Sequence, residues 1–315
     1  MPRAWKHFAL VALTGLGWGL LAPATKVLIA AEPSVFDGTT VAVARAAWSF
    51  PLFLIGLALA WRLDPPRLDA RRWALVVAAG LVFGLVVSVV YIVAAQHTSV
   101  AHIAFLVGIS PVTNTAVAAV VFRTGLERRG WTSLALGIAG VALLAAARGG
   151  GSGELLGDAL MLVWLAGFAA YACLLRAVGA GMSSALLMCL VGAISMASVA
   201  IPGLALTGPA AAMHVLDAPA TVWWFFGEIV VGSTLVAQTT YAAAVRRMGV
   251  AAATIGAEYT ALFVGVVWSL AAREPWTPLS VLAGLVFCAA LAATFTPLPF
   301  FARDAGRDRA LPAAS

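Results

Sequence analysis

The 315-residue chain is 63% hydrophobic and only 10% charged, with a mean hydropathy of +1.00; soluble domains average roughly 45–50% and 25%. That excludes an ordinary water-soluble fold and makes the bilayer span of about 20 apolar residues the unit of organisation. The net charge of +6 falls in small groups between apolar runs, a pattern that encodes membrane topology and not a nucleic-acid surface.

Ten apolar runs follow in chain order. The first five are Phe8–Ala31, Asp37–Ala60, Trp73–Ala95, Val100–Phe122 and Trp131–Ala147. The next five are Asp158–Val178, Ser183–Leu206, Thr221–Val245, Gly249–Ala271 and Pro278–Phe300. The opening basic residues, apolar stretch and Ala22-Pro23-Ala24 resemble a signal peptide, but hydrophobicity resumes through Val27–Ala31, so the segment reads as a retained span. A glycine-rich stretch, 149–157, separates the two sets. The fold class expected is all-α integral membrane, with ten transmembrane helices.

Alternate run ends carry 15 of the 19 basic residues, from Arg3 and Lys6 to Arg303, Arg307 and Arg309. The opposite ends carry only Arg148 and Arg273, while Lys26 and Arg45 lie within spans. The positive-inside rule then puts both termini in the cytoplasm of a multi-pass cell (inner) membrane protein. Five spans per set is an odd number, so the second set enters the membrane from the opposite side. The expected domains are an inverted-topology pair of five-helix repeats, 1–148 and 158–300, with a linker 149–157 and a short basic tail 301–315. That arrangement is typical of secondary transporters with a midplane site. Placing Tyr91–Arg123 over Tyr241–Arg273 matches Tyr91 with Tyr241, Val100 with Val250 and Arg123 with Arg273.

Several residues recur in a familiar order: Trp18-Gly19 then Lys26, Arg45-Ala46-Ala47, Tyr91 through Pro111, and Glu127 and Trp131 ahead of Gly137-Ile138-Ala139-Gly140-Val141. The second half adds Gly232-Ser233-Thr234, Tyr241, Gly249, Glu258, Glu274 and Trp276. Over roughly 10–293 this resembles the EamA family of the drug/metabolite transporter superfamily. The resemblance implies a ten-span inner-membrane carrier, commonly an exporter of amino acids, other metabolites or amphipathic compounds. One position departs: Tyr259 stands where family members often have proline.

The chemistry-bearing candidates are few. Glu258 lies about nine residues, or roughly 13 Å, into its span. A lone intramembrane charge costs roughly 2.5–3.5 kcal/mol on insertion scales and marks a site by default. It is either a cavity carboxylate that binds a proton or a cationic substrate group, or one half of a fixed ion pair with Arg45 or Lys26. Arg45 has the fork geometry to grip a substrate carboxylate; Lys26 can do so as a point charge, or snorkel. Glu228 is a second carboxylate candidate, nearer a span end. Asn114 and Gln238 line a pathway or bond across helices. Trp18, Tyr91 and Tyr259 line a pocket or pack helices, and Pro111 is the candidate for a helix break near the site. His97 and His102 are five apart, not the i, i+4 spacing of a helical metal pair, so neither a metal nor a cofactor is expected.

The function read from these residues is secondary transport by alternating access, with a small-molecule substrate, the lipid bilayer and protons as the candidate coupling ion for partners. No Walker A motif is present, so ATP is not the direct energy source. The alternative is an integral-membrane enzyme acting on lipid or isoprenoid, which would need clustered carboxylates or histidines at one interface. A non-transporting scaffold or sensor is a third class. Monomer and homodimer both stay open, as do substrate, direction and coupling ion, since uncoupled facilitation and exchange fit the residues equally.

Overall fold

The structure, a computed structural model, describes residues 3–63, 65, 68–123, 128–147, 152–178, 182–248 and 250–295. Every element among them is helical. The first five are α1 (Arg3–Ala31), α2 (Gly38–Leu63), α3 (Ala70–His97), α4 (Val100–Val121) and α5 (Arg128–Ala146). The second five are α6 (Ser152–Val178), α7 (Ser184–Thr207), α8 (220–248), α9 (Val250–Ala271) and α10 (Pro278–Phe295). Eight are long and apolar enough to cross a bilayer; the apolar lengths of α5 and α10, Gly130–Ala146 and Pro278–Ala290, are shorter. Large apolar side chains such as Leu59, Ile201 and Phe263 face outward, as a hydrocarbon solvent allows.

Helix starts follow from capping. The first amides of a helix have no intrahelical acceptor, and a short polar side chain supplies one. Asp37 accepts from Thr40 N at 2.7 Å before α2, and Asp69 from Arg72 N at 2.8 Å before α3. Ser99 accepts from His102 N ahead of α4, and Ser183 from Leu186 N ahead of α7, both at 3.2 Å. At the far end of α7 the chain turns at Gly208, with φ of 76°.

Two differences from the sequence reading stand out. The glycine-rich stretch 149–157 is not all linker: α6 begins at Ser152, so 152–157 are its first turns. Glu154 sits in that first turn, where a negative charge meets the positive end of the helix dipole, and Gly157 lets the backbone of His97 and Thr98 come close. Residues 149–151, Glu127, Arg148, Gly249 and the tail 301–315 lie outside the described residues. Between α7 and α8 a short turn, Ala210–Met213 then His214–Asp217, packs on α2, where Trp48 Nε1 donates to Ala212 O at 2.9 Å.

The packing is organised by close helix pairs: α1 on α9, α2 on α7, and α5 on α10. Helix α6 lies against α3 and α4, and α1 lies against α8, while α5 and α10 stay at the margin. In hydrocarbon, helix association depends on close van der Waals approach, which small residues permit. At the α1–α9 seam a methyl added at Gly15 would overlap Thr260 and the Ala257 carbonyl. Gly19 is pressed likewise against Val264 and Ala261.

Three irregularities interrupt the helices. Segments Val82–Val89 of α3 and Glu228–Val236 of α8 are π-helical. Helix α4 breaks at Ile109 and restarts with Pro111 in its first turn. Arg123 after α4 and Arg273 after α9 take φ of 53° and 55°, uncommon for any residue but glycine.

The seam makes a signed prediction. Gly15→Ala should destabilise the purified protein by about 1–3 kcal/mol through overpacking. Gly227→Ala, on an α8 turn with open space around it, should be neutral or stabilising by up to about 1 kcal/mol through helix propensity. Thermal melting of the two variants in detergent checks the opposite signs.

Candidate functional site

The site begins with where α1, α3, α6 and α8 put their aromatics. Trp18 of α1 lies 5.0 Å from Tyr241 of α8 and 6.0 Å, edge-on, from Phe168 of α6. Phe168 stacks on Trp164 one turn away at 5.1 Å, and Trp164 meets Tyr91 of α3 at 5.6 Å. The result is a continuous aromatic wall through the centre of the bundle. Tyr241 is fixed by a 2.7 Å hydrogen bond between its hydroxyl and that of Thr254 on α9.

Against this wall opens a cavity of about 40 Å³, which Trp18, Tyr91, Trp164 and Phe168 line on the aromatic side. Arg45, Ser88, Gln238 and Glu258 supply its polar groups. At that size it has room for about three water molecules, so a metabolite requires the helices to part. Apolar walls with a few convergent polar groups are the usual composition of a ligand site.

The two charges in the cavity are treated differently. Arg45, 3% exposed, donates from Nε to Thr234 Oγ1 at 2.7 Å and from Nη1 to Ser88 Oγ at 2.9 Å. Glu258, 1% exposed, faces the Ser110 hydroxyl at the restart of α4. Yet Glu258 Oε2 and Ser110 Oγ are both buried without a hydrogen-bond partner among the described residues. Among the described residues no cation comes within 4.0 Å of Glu258 and no carboxylate within 4.0 Å of Arg45. The fixed ion pair expected as one reading of Glu258 is therefore not formed.

Of the ten residues singled out in the sequence, five meet in this cavity: Trp18, Arg45, Tyr91, Gln238 and Glu258. The other five do not line it. Lys26 lies toward the arginine-poor end, in the field of Glu274 and Glu154. Glu228 is half-buried, with its carboxyl folded over Gly232 of its own helix. Tyr259, 39% exposed, points away from the bundle because it follows Glu258 by one residue on a continuous helix. Asn114 keeps a buried, unpartnered Oδ1 beyond the α4 break, and Pro111 forms the break itself.

Residues 5–146 match the model of the EamA-like transporter family. Over these residues the chain is similar to the EamA-like transporter family. That family is one of membrane transporters of the drug/metabolite superfamily type. No curated protein sequence matches it. A protein crystal structure aligns with a TM-score of 0.59 at 17% identity, covering 96% of this chain and 98% of that one. At that identity the likeness speaks for the fold, and it extends over both halves.

The sequence reading missed what this EamA-like chain uses from α6 and α3. Trp164 and Phe168 lie one helical turn apart, an aromatic pair that was available as a signal; Ser88 offered none. It also missed how Glu274 works. From the α9–α10 connection its carboxylate accepts from the first free amides of α4, Val100 N at 3.0 Å and Ala101 N at 3.2 Å, and from Ser269 Oγ at 2.7 Å. On α4's other side Asp158 of α6 accepts from Thr98 Oγ1 at 2.8 Å and pairs with His102 at 3.6 Å. The start of α4 is thus held from two directions.

An unpartnered buried carboxylate costs stability. Glu258→Gln, which keeps the shape, should melt at or slightly above the parent temperature, whereas Glu258→Ala should melt lower by leaving a void. A fall for Gln as large as that for Ala would reveal a stabilising partner for the carboxylate.

Proposed function

We propose that the chain is a secondary transporter that moves small amphipathic metabolites, amino acids or related compounds, outward across the inner membrane. The observation that carries this reading is the central cavity, where one guanidinium and one unpartnered carboxylate meet an aromatic wall. A substrate bearing a cationic group complements Glu258, an anionic group complements Arg45, and the wall takes an apolar body. The direction, export, rests on the family resemblance.

The mechanism we propose is alternating access between two inverted five-helix halves, 1–148 and 158–300, with both termini in the cytoplasm. Supporting it are the paired irregularities: a π-helical segment in the third and eighth helices, and a left-handed arginine after the fourth and ninth. The odd number of helices in each half and the arginine asymmetry support the orientation. In this cycle a proton neutralises Glu258 in one facing state and a substrate ammonium takes its place in the other, so that the carboxylate never crosses unbalanced.

Purified protein in liposomes, loaded with a mixture of amino acids and held under a pH gradient, tests this. The parent should show flux that changes with the gradient. Glu258→Gln should insert normally and lose the pH dependence, with flux down by an order of magnitude or more, as for removal of a group that binds the coupling ion. A Glu258→Gln protein with an unchanged pH profile would sink the proton role, and absence of flux with every compound offered would sink the transport reading.

A further inference from the structure

The π-helical segments of α3 and α8 come from opposite halves of the chain, yet a single side chain from a third helix holds both. Arg45 of α2 reaches Ser88 in Val82–Val89 and Thr234 in Glu228–Val236. The Thr234 hydroxyl donates its own proton to Ile229 O, five residues back, at 2.6 Å. That commits its proton to the wide turn and leaves its lone pairs for the guanidinium. The Ser88 hydroxyl accepts from the same cation. No carboxylate lies within 4.0 Å of Arg45 among the described residues, so two neutral hydroxyls are its named side-chain partners.

Two physical consequences follow. A π-helical stretch inside an α-helix holds an extra residue in its turn and has a tighter alternative register; hydroxyls pinned at its wall bias it toward the wide form. A guanidinium also has five donors and binds a carboxylate through two parallel, charge-assisted bonds, roughly twice as strong as neutral ones. Arg45 and Ser88 both border the central cavity. A carboxylate arriving there therefore competes with the hydroxyls of Ser88 and Thr234 for one fork.

We propose that Arg45 is a positioning residue that locks the π-helical segments of α3 and α8 to α2 through Ser88 and Thr234, and that an anionic group taking its guanidinium releases both at once. The proposal rests on reading the central cavity as the transport site. It gives that site a route from occupancy to helix movement: one substitution of ligand, hydroxyl for carboxylate, acts on both halves together. It also makes the substrate's anionic end the trigger, while the cationic end at Glu258 contributes affinity.

Hydrogen exchange of the full chain in detergent, followed by mass spectrometry, tests the lock without any transport assay. Arg45→Gln should speed exchange of 82–89 and 228–236 together by about tenfold or more, the effect of losing a hydrogen bond to a charged group. The marginal helix 128–146 should be unmoved. Ser88→Ala should speed the first segment alone, and Thr234→Val the second alone. Sodium acetate, compared with sodium chloride, should speed both segments in the parent and neither in Arg45→Gln. The lock is overturned if Arg45→Gln leaves both segments at the parental rate. Should Arg45→Gln loosen 128–146 equally, the single hydroxyl variants decide, and their failure to act on their own segments overturns it. Release is overturned if acetate acts no differently from chloride. Flux in liposomes with unmoved exchange sinks the lock and spares the transport reading; a passed exchange test with no flux does the reverse.

Discussion

Arg45 is the charge around which the centre of the bundle is arranged. In hydrocarbon there is no water to answer a guanidinium, so the answer must come from the protein. Here it comes from α3 and α8, at the two places where those helices widen. Three helices from both halves thus converge on one cation, 3% exposed. Glycines close the seams beside those helices: Gly84 of α3 lies against Ser195 of α7, and Gly17 of α1 against Gly232 of α8.

Glu258 is the counterpoint. It shares the cavity with Arg45 but not its partners, and its Oε2 has none. A buried polar group left unanswered costs free energy, and proteins keep such groups where a function needs them. The contrast lies within one cavity: Arg45 is satisfied by Ser88 and Thr234, while Glu258 Oε2 has no hydrogen-bond partner among the described residues. An ion pair between them would have satisfied both charges and left the site chemically mute.

The helices were legible in the sequence because hydrophobic runs of span length are a bulk property that survives local error. Val100–Phe122 and Pro278–Phe300 both open at the first residue of a helix. The linker was drawn too long because a glycine-rich stretch at the midpoint reads as a connection, whereas the helix begins at Ser152 and Gly157 packs against His97 and Thr98. Arg45, Glu258 and Trp18 could be picked out singly, since each is unusual in a span. Their grouping could not, because it depends on contacts between residues as far apart as Arg45 and Thr234. Lys26 and Glu228 were equally unusual by composition, but both lie outside the cavity: Lys26 near the carboxylates of Glu274 and Glu154, and Glu228 over Gly232.

The start of α4 carries the argument from the cavity to the membrane surface. Glu274, arriving from beyond α9, caps its first amides, and Asp158 of α6 holds Thr98 and His102. Lower down the same helix breaks at Ile109, and Ser110 at the restart faces Glu258. Helix α4 therefore has one anchored end and one interrupted middle, with the cavity carboxylate at the interruption. A helix built that way bends at its break more readily than it slides, because sliding would pull the Val100 and Ala101 amides away from the Glu274 carboxylate that caps them. The break at Ile109 is therefore the point in α4 where bending costs least.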